Sequence, residues 1–250
     1  MRILVTNDDG IHGPGLVTLE AMARAISEDV WVVAPDEERS GAGHSLTLSH
    51  PLRYHKLGDR RFEVSGTPTD CVIMAVRKIM PGLPDLILSG VNRGQNIADD
   101  VTYSGTIAAA MEGTSLGIKS IAMSQVTGLH GNGESFAVAE AHGVGVVRKL
   151  LQFDFGPGTL MNVNFPDCRP EDVAGITVTR QGKRDQNFLT VDERIDARGR
   201  NYFWLGFARE RGTPPPDTDI GAVFNKRISI TPLHMNLTQV SAMDGLRTLF

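Results

Sequence analysis

The sequence predicts an α/β fold built on a mostly parallel sheet, and three observations predict it. Short apolar runs at Ile3 to Val5, Val30 to Ala34, Leu86 to Leu88, Ile121 to Met123 and Leu160 to Val163 have the continuous hydrophobicity of strands covered on both faces. Between them, residues 15–27, 68–80, 104–116 and 135–152 carry apolar side chains at helical spacing, as in Leu16, Leu19, Met22, Ala23 and Ile26. Strand and helix therefore alternate, as crossover connections in a parallel sheet require.

One stretch interrupts that alternation. Residues 51–66 contain PLRYHKL, a GDRR turn signal and FEVSG, and read as a β-hairpin inserted before the 68–80 helix. After about residue 180 the rhythm changes. Residues 180–211 hold eight Lys or Arg and five acids, a local balance of +3, with the aromatic cluster Tyr202, Phe203 and Trp204. A PPP break at 214–216, a strand-like ISITPL at 228–233 and a short C-terminal helix follow. The expected organisation is an α/β domain over 1–180 and an extended, β-rich segment over 181–250. Such a segment has too little apolar content for a core of its own, so it packs on the main domain or on a neighbouring subunit.

Composition narrows the function classes. With 250 residues, 41% hydrophobic and 22% charged, the chain can bury a large core without disorder or fibrous character. A net charge of −4 supplies no global positive field for a nucleic-acid polymer or an acidic membrane surface. The two cysteines, Cys71 and Cys168, are far apart and lack metal or redox spacing. The opening MRILV is too brief for a secretion signal, and no run approaches the roughly 20 apolar residues that span a bilayer. A reducing, cytoplasmic setting is the expectation.

Ligands bind open parallel sheets outside the carboxyl ends of the strands. Three loops there are unusually polar: TNDDGIHGPG, APDEERSGAGHSLTL and SGVNRGQNIADDVTYSGT. In the first, Asp8 and Asp9 are adjacent, and two neighbouring carboxylates are costly to pack unless a cation neutralises them. A solvated turn capping the next helix is the competing reading of NDDG alone. Ser40 and Asn92 on the other two loops offer neutral oxygens, which turns the pair into an all-oxygen set suited to Mg²⁺ or Mn²⁺ rather than zinc. In the third loop, Ser104, Gly105 and Thr106 precede an Ala-rich helix. They form either a plain N-cap or an anion site of free N–H groups and hydroxyls. Asn96 could donate to the same anion. The GxGxxG fingerprint and the GxxxxGK[ST] phosphate loop are both missing, which argues against dinucleotide binding and P-loop ATP hydrolysis.

The blocks NDDGIHGPG, APD with SGA and SLTL, GTPTDCV, SGVNRGQN and YSGTIAAAMEG lie in register across residues 1–125. Together they resemble the SurE (survival protein E) nucleotidase family, and DARGRNYFWLG and ISITPLHMNLT carry the resemblance into the C-terminal third. The resemblance implies a Rossmann-like three-layer α/β/α sandwich with one divalent metal per subunit on Asp8, Asp9, Ser40 and Asn92. It also implies phosphate held by Asn96, Ser104, Gly105 and Thr106. The implied substrates are nucleoside 5′- and 3′-monophosphates, with short polyphosphate in some members. The implied assembly is a homodimer or homotetramer in which extended C-terminal segments embrace the neighbour. Two departures are Gly43-His44, where relatives often carry a small polar pair, and the Gly-rich 124–134 stretch. They leave the metal set intact and the role of His44 open. Catalysis then runs through Asp8 or Asp9, as acceptor of a water proton or as nucleophile in an aspartyl-phosphate route. A metal- and nucleotide-binding sensor without turnover is the alternative from a different class.

Overall fold

The first strand shows how sequence dictates the layers. In β1 (Arg2–Thr6), Ile3 and Val5 point into one apolar cluster and Leu4 into another on the opposite face, because successive strand side chains alternate. The same division recurs in β2 (Asp29–Pro35), where Val30 and Val32 face one way and Val33 the other. It recurs again in β5 (Leu86–Arg93), with Leu86 and Leu88 opposite Ile87. Strands buried on both faces need a helical layer on each side. One layer is α1 (Pro14–Arg24) packed beside α4 (Ala137–Leu150), and the other is α2 (Pro68–Met74) packed beside α3 (Gly105–Ser115).

This architecture is that of a computed structural model describing residues 1–127, 135–184, 189–207 and 214–250. The Gly-rich part of 124–134 and the charged residues Asp185, Arg209, Glu210 and Arg211 fall outside the described residues. The remaining elements are β3 (Tyr54–Gly58), β4 (Arg61–Val64), β6 (Lys119–Gln125), β7 (Thr159–Phe165), β8 (Ile176–Val178), β9 (Leu189–Ile195), β10 (Asn201–Phe207), α5 (Asp219–Phe224), β11 (Ile228–His234) and α6 (Val240–Arg247). Among the described residues the main sheet has the order β3-β4-β2-β1-β5-β6-β7-β11-β8. Its centre, from β4 to β7, is parallel; β3 and β11 run against their neighbours β4 and β7. The mostly parallel α/β/α sandwich expected from the pattern is the fold observed.

The hairpin expected over 51–66 forms as β3 and β4, and β4 also extends the sheet by pairing parallel to β2. From the C-terminal third, β11 lies between β7 and β8 within the main sheet. β9 and β10 form a separate antiparallel ribbon. Its side chains Val191, Ile195, Tyr202, Phe203, Trp204 and Leu205 are all exposed, as is every residue of α6 except the half-buried Met243.

Two features position the site. β1 pairs with β2 on one side and β5 on the other, so the connections leave β1 in opposite directions and open a crevice at the carboxyl ends of β1 and β5. β5 is also longer than its apolar run suggests. It continues through SGVNR, with a register irregularity against β6 between Ser89 and Asn92. Gly90 makes this possible at φ 131°, where an added Cβ would lie 2.1 Å from the Met123 carbonyl oxygen. Such an irregularity re-aims the following side chains, here Asn92 at the crevice edge.

Candidate active site

Asp8 and Asp9 sit in the turn after β1, at the mouth of the crevice. Asn7, fully buried, donates through Nδ2 to the Gly10 carbonyl at 2.9 Å and closes the turn. Gly10 holds φ 91°. The Arg39 N–H donates to the Asp8 carbonyl at 2.8 Å, which ties the loop after β2 to this turn one residue before Ser40. From the third loop, the Thr106 hydroxyl donates to Asp8 Oδ1 at 2.5 Å, and the Arg93 N–H donates to Asp9 Oδ2 at 3.3 Å. All three polar loops thus reach the acidic pair.

The start of α3 lies directly against Asp8. A Cβ on Gly105 would stand 2.8 Å from the Asp8 Cβ and 3.1 Å from its Oδ2, so only glycine allows this approach. Ser104 is the N-cap: its Oγ accepts the Ile107 N–H at 3.1 Å, and its carbonyl takes the Ala108 N–H. That leaves the Gly105 N–H unpaired at the positive end of the helix dipole, while the Thr106 N–H is directed to the Asp8 carboxyl. The two readings of SGT are therefore compatible, since Ser104 caps the helix while the Gly105 N–H stays available. Thr106 thus turns both its hydroxyl and its backbone N–H to Asp8.

Asn92 donates through Nδ2 to the Gly94 carbonyl at 2.8 Å, and among the described residues its amide oxygen accepts no hydrogen bond. Ser40 is exposed, and its hydroxyl donates to Glu38 at 2.7 Å. Asn96 sits differently. It is buried, its Nδ2 donates to Ser124 Oγ at 2.9 Å, and its backbone N–H and C=O are held by Asn164 and Asn162. Asn96 is thus the anchor of its turn in a buried amide cluster, with one amide hydrogen committed to Ser124. His44 lies apart from the acids, its Nε2 at 3.1 Å from Glu112 Oε2 on α3.

Electrostatics make the acidic pair the unusual feature. Burial pushes the Asp8 carboxyl up to about 6; the Thr106 hydrogen bond opposes the shift, and the charge of Asp9 adds to it. Asp9 is raised as well, by burial, against the Arg93 N–H. No Lys or Arg among the described residues forms an ion pair with Asp8. Nearby, Thr6 Oγ1, Asn7 Oδ1 and Ser89 Oγ are buried without protein partners, and Thr6 and Ser89 are register neighbours across β1 and β5. Among the described residues no three His, Cys, Asp or Glu side chains converge, so a metal here takes neutral oxygens beside the two carboxylates. Two carboxylates, an amide oxygen and a hydroxyl fit a hard divalent cation.

The family model for survival protein SurE matches residues 3–188. The chain belongs to the SurE family. The 5'-nucleotidase SurE of Methylorubrum extorquens (strain PA1) is 58% identical over 252 residues, covering 100% of this chain and 99% of that one. That of Parvibaculum lavamentivorans is 58% identical over 248 residues, covering 98% and 90%. The crystal structure of the SurE protein from Aquifex aeolicus superposes with a TM-score of 0.83 at 39% identity, covering 100% of this chain and 99% of that one. Across these SurE relatives the likeness extends past residue 188 to the C-terminal segments.

With metal removed, the geometry predicts a definite pH dependence of stability. The Asp8 carboxyl titrates at about 6 in the folded chain against an ordinary 3.8, so the folded state holds the extra proton between those values. Its contribution is best below about pH 4, falls as pH rises through about 6, and is flat above, a total of about 3 kcal/mol. Denaturant unfolding in chelator at pH 4 and pH 7.5, with Asp8→Asn as the reference, measures it. A wild-type stability relative to Asp8→Asn that does not change with pH contradicts the burial argument.

Proposed function

We infer that the protein is a 5'-nucleotidase that hydrolyses nucleoside 5'-monophosphates to nucleoside and phosphate. Full-length identity to 5'-nucleotidases of the family supports this reading. The single observation that carries it to particular residues is the buried Asp8 carboxylate, hydrogen-bonded by Thr106 at the foot of a helix whose first N–H, that of Gly105, is free. Acid pair and anion-ready helix start meet at one point.

In this reading Asp8, Asp9, the Asn92 amide oxygen and the Ser40 hydroxyl hold one divalent cation per subunit, Mg²⁺ or Mn²⁺. When bound, such a cation supplies Lewis-acid polarisation of a phosphoryl oxygen. The Gly105 N–H orients the phosphate and stabilises charge on its equatorial oxygens, such a donor being worth about 3 kcal/mol. The Ser104 hydroxyl, whose oxygen caps the helix, has its proton left for the same anion. Asn96 has one amide hydrogen beyond the one given to Ser124, and its main contribution is to fix the turn. Thr106 holds Asp8 in orientation, and Asp9 accepts the proton of the attacking water. The buried Gly105 contact keeps the acids against the phosphate side. Hydrolysis of 3'-monophosphates and of short polyphosphate belongs to the same chemistry, because the helix start reads phosphate and not sugar.

The exposed β9–β10 ribbon supports assembly as a homodimer or homotetramer. An isolated two-stranded ribbon is marginally stable in water, and this one bares apolar side chains on both faces. No helix is long and apolar enough to cross a membrane among the described residues. Cys71 and Cys168 are buried free thiols, which suits a cytoplasmic setting.

Phosphate release from a panel of nucleoside monophosphates, with Mg²⁺, Mn²⁺ or chelator, tests the site. Turnover is expected only with metal, and Asp9→Ala should lose more than the roughly 100-fold that removal of a supporting residue costs at a metal site. Activity that is independent of metal and survives in Asp9→Ala overturns the assignment. For the assembly, light scattering should give a dimer or tetramer that the double variant Phe203→Ser, Trp204→Ser shifts to smaller species. A monomeric wild type at micromolar concentration refutes it.

A further inference from the structure

The turn that delivers the start of α3 to Asp8, a short 3-10 helix over Ala98–Thr102, is held by more than its own residues. Between Asn96 and Ser104 the chain passes through Ala98 at φ 53°, a left-handed conformation that a residue with a Cβ adopts only when its surroundings impose it. The surroundings come from the C-terminal third. The Ala98 N–H donates to Asp219 Oδ2 at 2.9 Å, and Gln181 Nε2 donates to the Ala98 carbonyl at 2.8 Å. Asp219 is fully buried, and its Oδ1 accepts the Gly182 and Ile220 N–H groups. Segment 181–184 is thereby locked in place beside the turn.

Arg184 then grips the turn itself. Its backbone N–H donates to Asp99 Oδ2 at 2.8 Å, while Nε and Nη2 donate to the two carboxylate oxygens of Asp100 at 2.9 and 2.5 Å. The pair is well shielded, with side-chain exposures of 10% and 18%. This is the fork-on-carboxylate geometry that fixes orientation as well as distance. Asp100 passes the constraint on, since its carbonyl accepts the Tyr103 N–H at 3.0 Å, immediately before Ser104. Asp99 does likewise through its carbonyl, which accepts the Thr102 hydroxyl. The adjacent acids Asp99 and Asp100 are both engaged by one arginine.

We infer that Arg184 is a positioning residue for phosphate-ester hydrolysis, fixing through Asp100 the turn that presents the Gly105 N–H and the Ser104 hydroxyl to the phosphate. The inference rests on the phosphate assignment made above and adds a residue that touches neither phosphate nor metal. It also explains why an arginine is needed. A lysine keeps the charge but offers one point instead of a fork, so the turn regains a rotation.

Steady-state kinetics and inhibition by inorganic phosphate on Arg184→Lys, Arg184→Met, Asp100→Asn and the Arg184→Met/Asp100→Asn double variant decide the matter. Misplacement of a binding element by about 1 Å costs on the order of 100-fold in rate. Arg184→Met is accordingly expected to lose roughly 10- to 100-fold in kcat/KM, with weaker phosphate inhibition in step and Arg184→Lys between it and wild type. The double variant should be no worse than Arg184→Met, since both remove one clamp. Wild-type kcat/KM and phosphate inhibition in folded Arg184→Met, or fully additive losses in the double variant, overturn the inference. Ser104→Ala separates the two layers. If it weakens phosphate inhibition while the Arg184 variants do not, the clamp alone is wrong; if it leaves inhibition unchanged, the phosphate assignment falls and the clamp with it.

Discussion

The Asp8 carboxylate is the group around which the other parts are arranged. It is buried beside a second acid and held by the Thr106 hydroxyl, and burial raises its pKa to about 6. At neutral pH that placement opposes folding, and a cation on the same oxygens reverses the sign. The sheet supplies the location, because β1 and β5 diverge in their connections just where the turn carrying Asp8 emerges. The irregularity in β5 aims Asn92 at the same edge, and the missing Cβ of Gly105 lets α3 abut the acid. An unfavourable buried charge is thus tolerated where three loops can surround a divalent ion.

The second requirement is that the phosphate side stay fixed relative to that charge. The helix start is a rigid element, and the short 3-10 turn before it enters through a left-handed residue, Ala98. Its fastenings come from far along the chain: Asn162 and Asn164 on β7, Asp219 on α5 and Arg184 before β9. The last of the family-model match and the segment beyond it therefore serve the site from behind. The same segment continues into the exposed β9–β10 ribbon, so the proposed clamp and the proposed assembly surface lie on neighbouring stretches of chain.

Much of this was legible in the residues. Continuous apolar runs such as ILV and LIL marked the central strands, and the spacing of Leu16, Leu19 and Met22 marked α1, because burial on both faces leaves little freedom in those positions. Asp8 and Asp9 stood out because adjacent acids are costly to pack without a cation, and Asn92 because it offers a neutral oxygen on a neighbouring post-strand loop. What sequence alone did not show depended on contacts between residues far apart. That Thr106 spends its hydroxyl on Asp8, and Asn96 its amide on Ser124, could not be read from SGT or NRGQN, whose partners lie 98 and 28 positions away. SGVNR looked like loop because glycine weakens a strand pattern, yet here it marks the irregularity within β5. Asp219 and Arg184 carry no motif at all, and only the fold brings them to the turn.

Calorimetric melting of wild type and Asp8→Asn at neutral pH, in chelator and in saturating Mn²⁺, tests most directly whether a cation offsets the burial of Asp8. In chelator, Asp8→Asn should melt higher than wild type, since the amide keeps the Thr106 hydrogen bond without the charge. In metal, wild type should gain about 3 kcal/mol at a hundredfold excess over its dissociation constant, and Asp8→Asn should gain almost nothing. An Asp8→Asn variant that melts below wild type in chelator, or gains as much from Mn²⁺, contradicts the account.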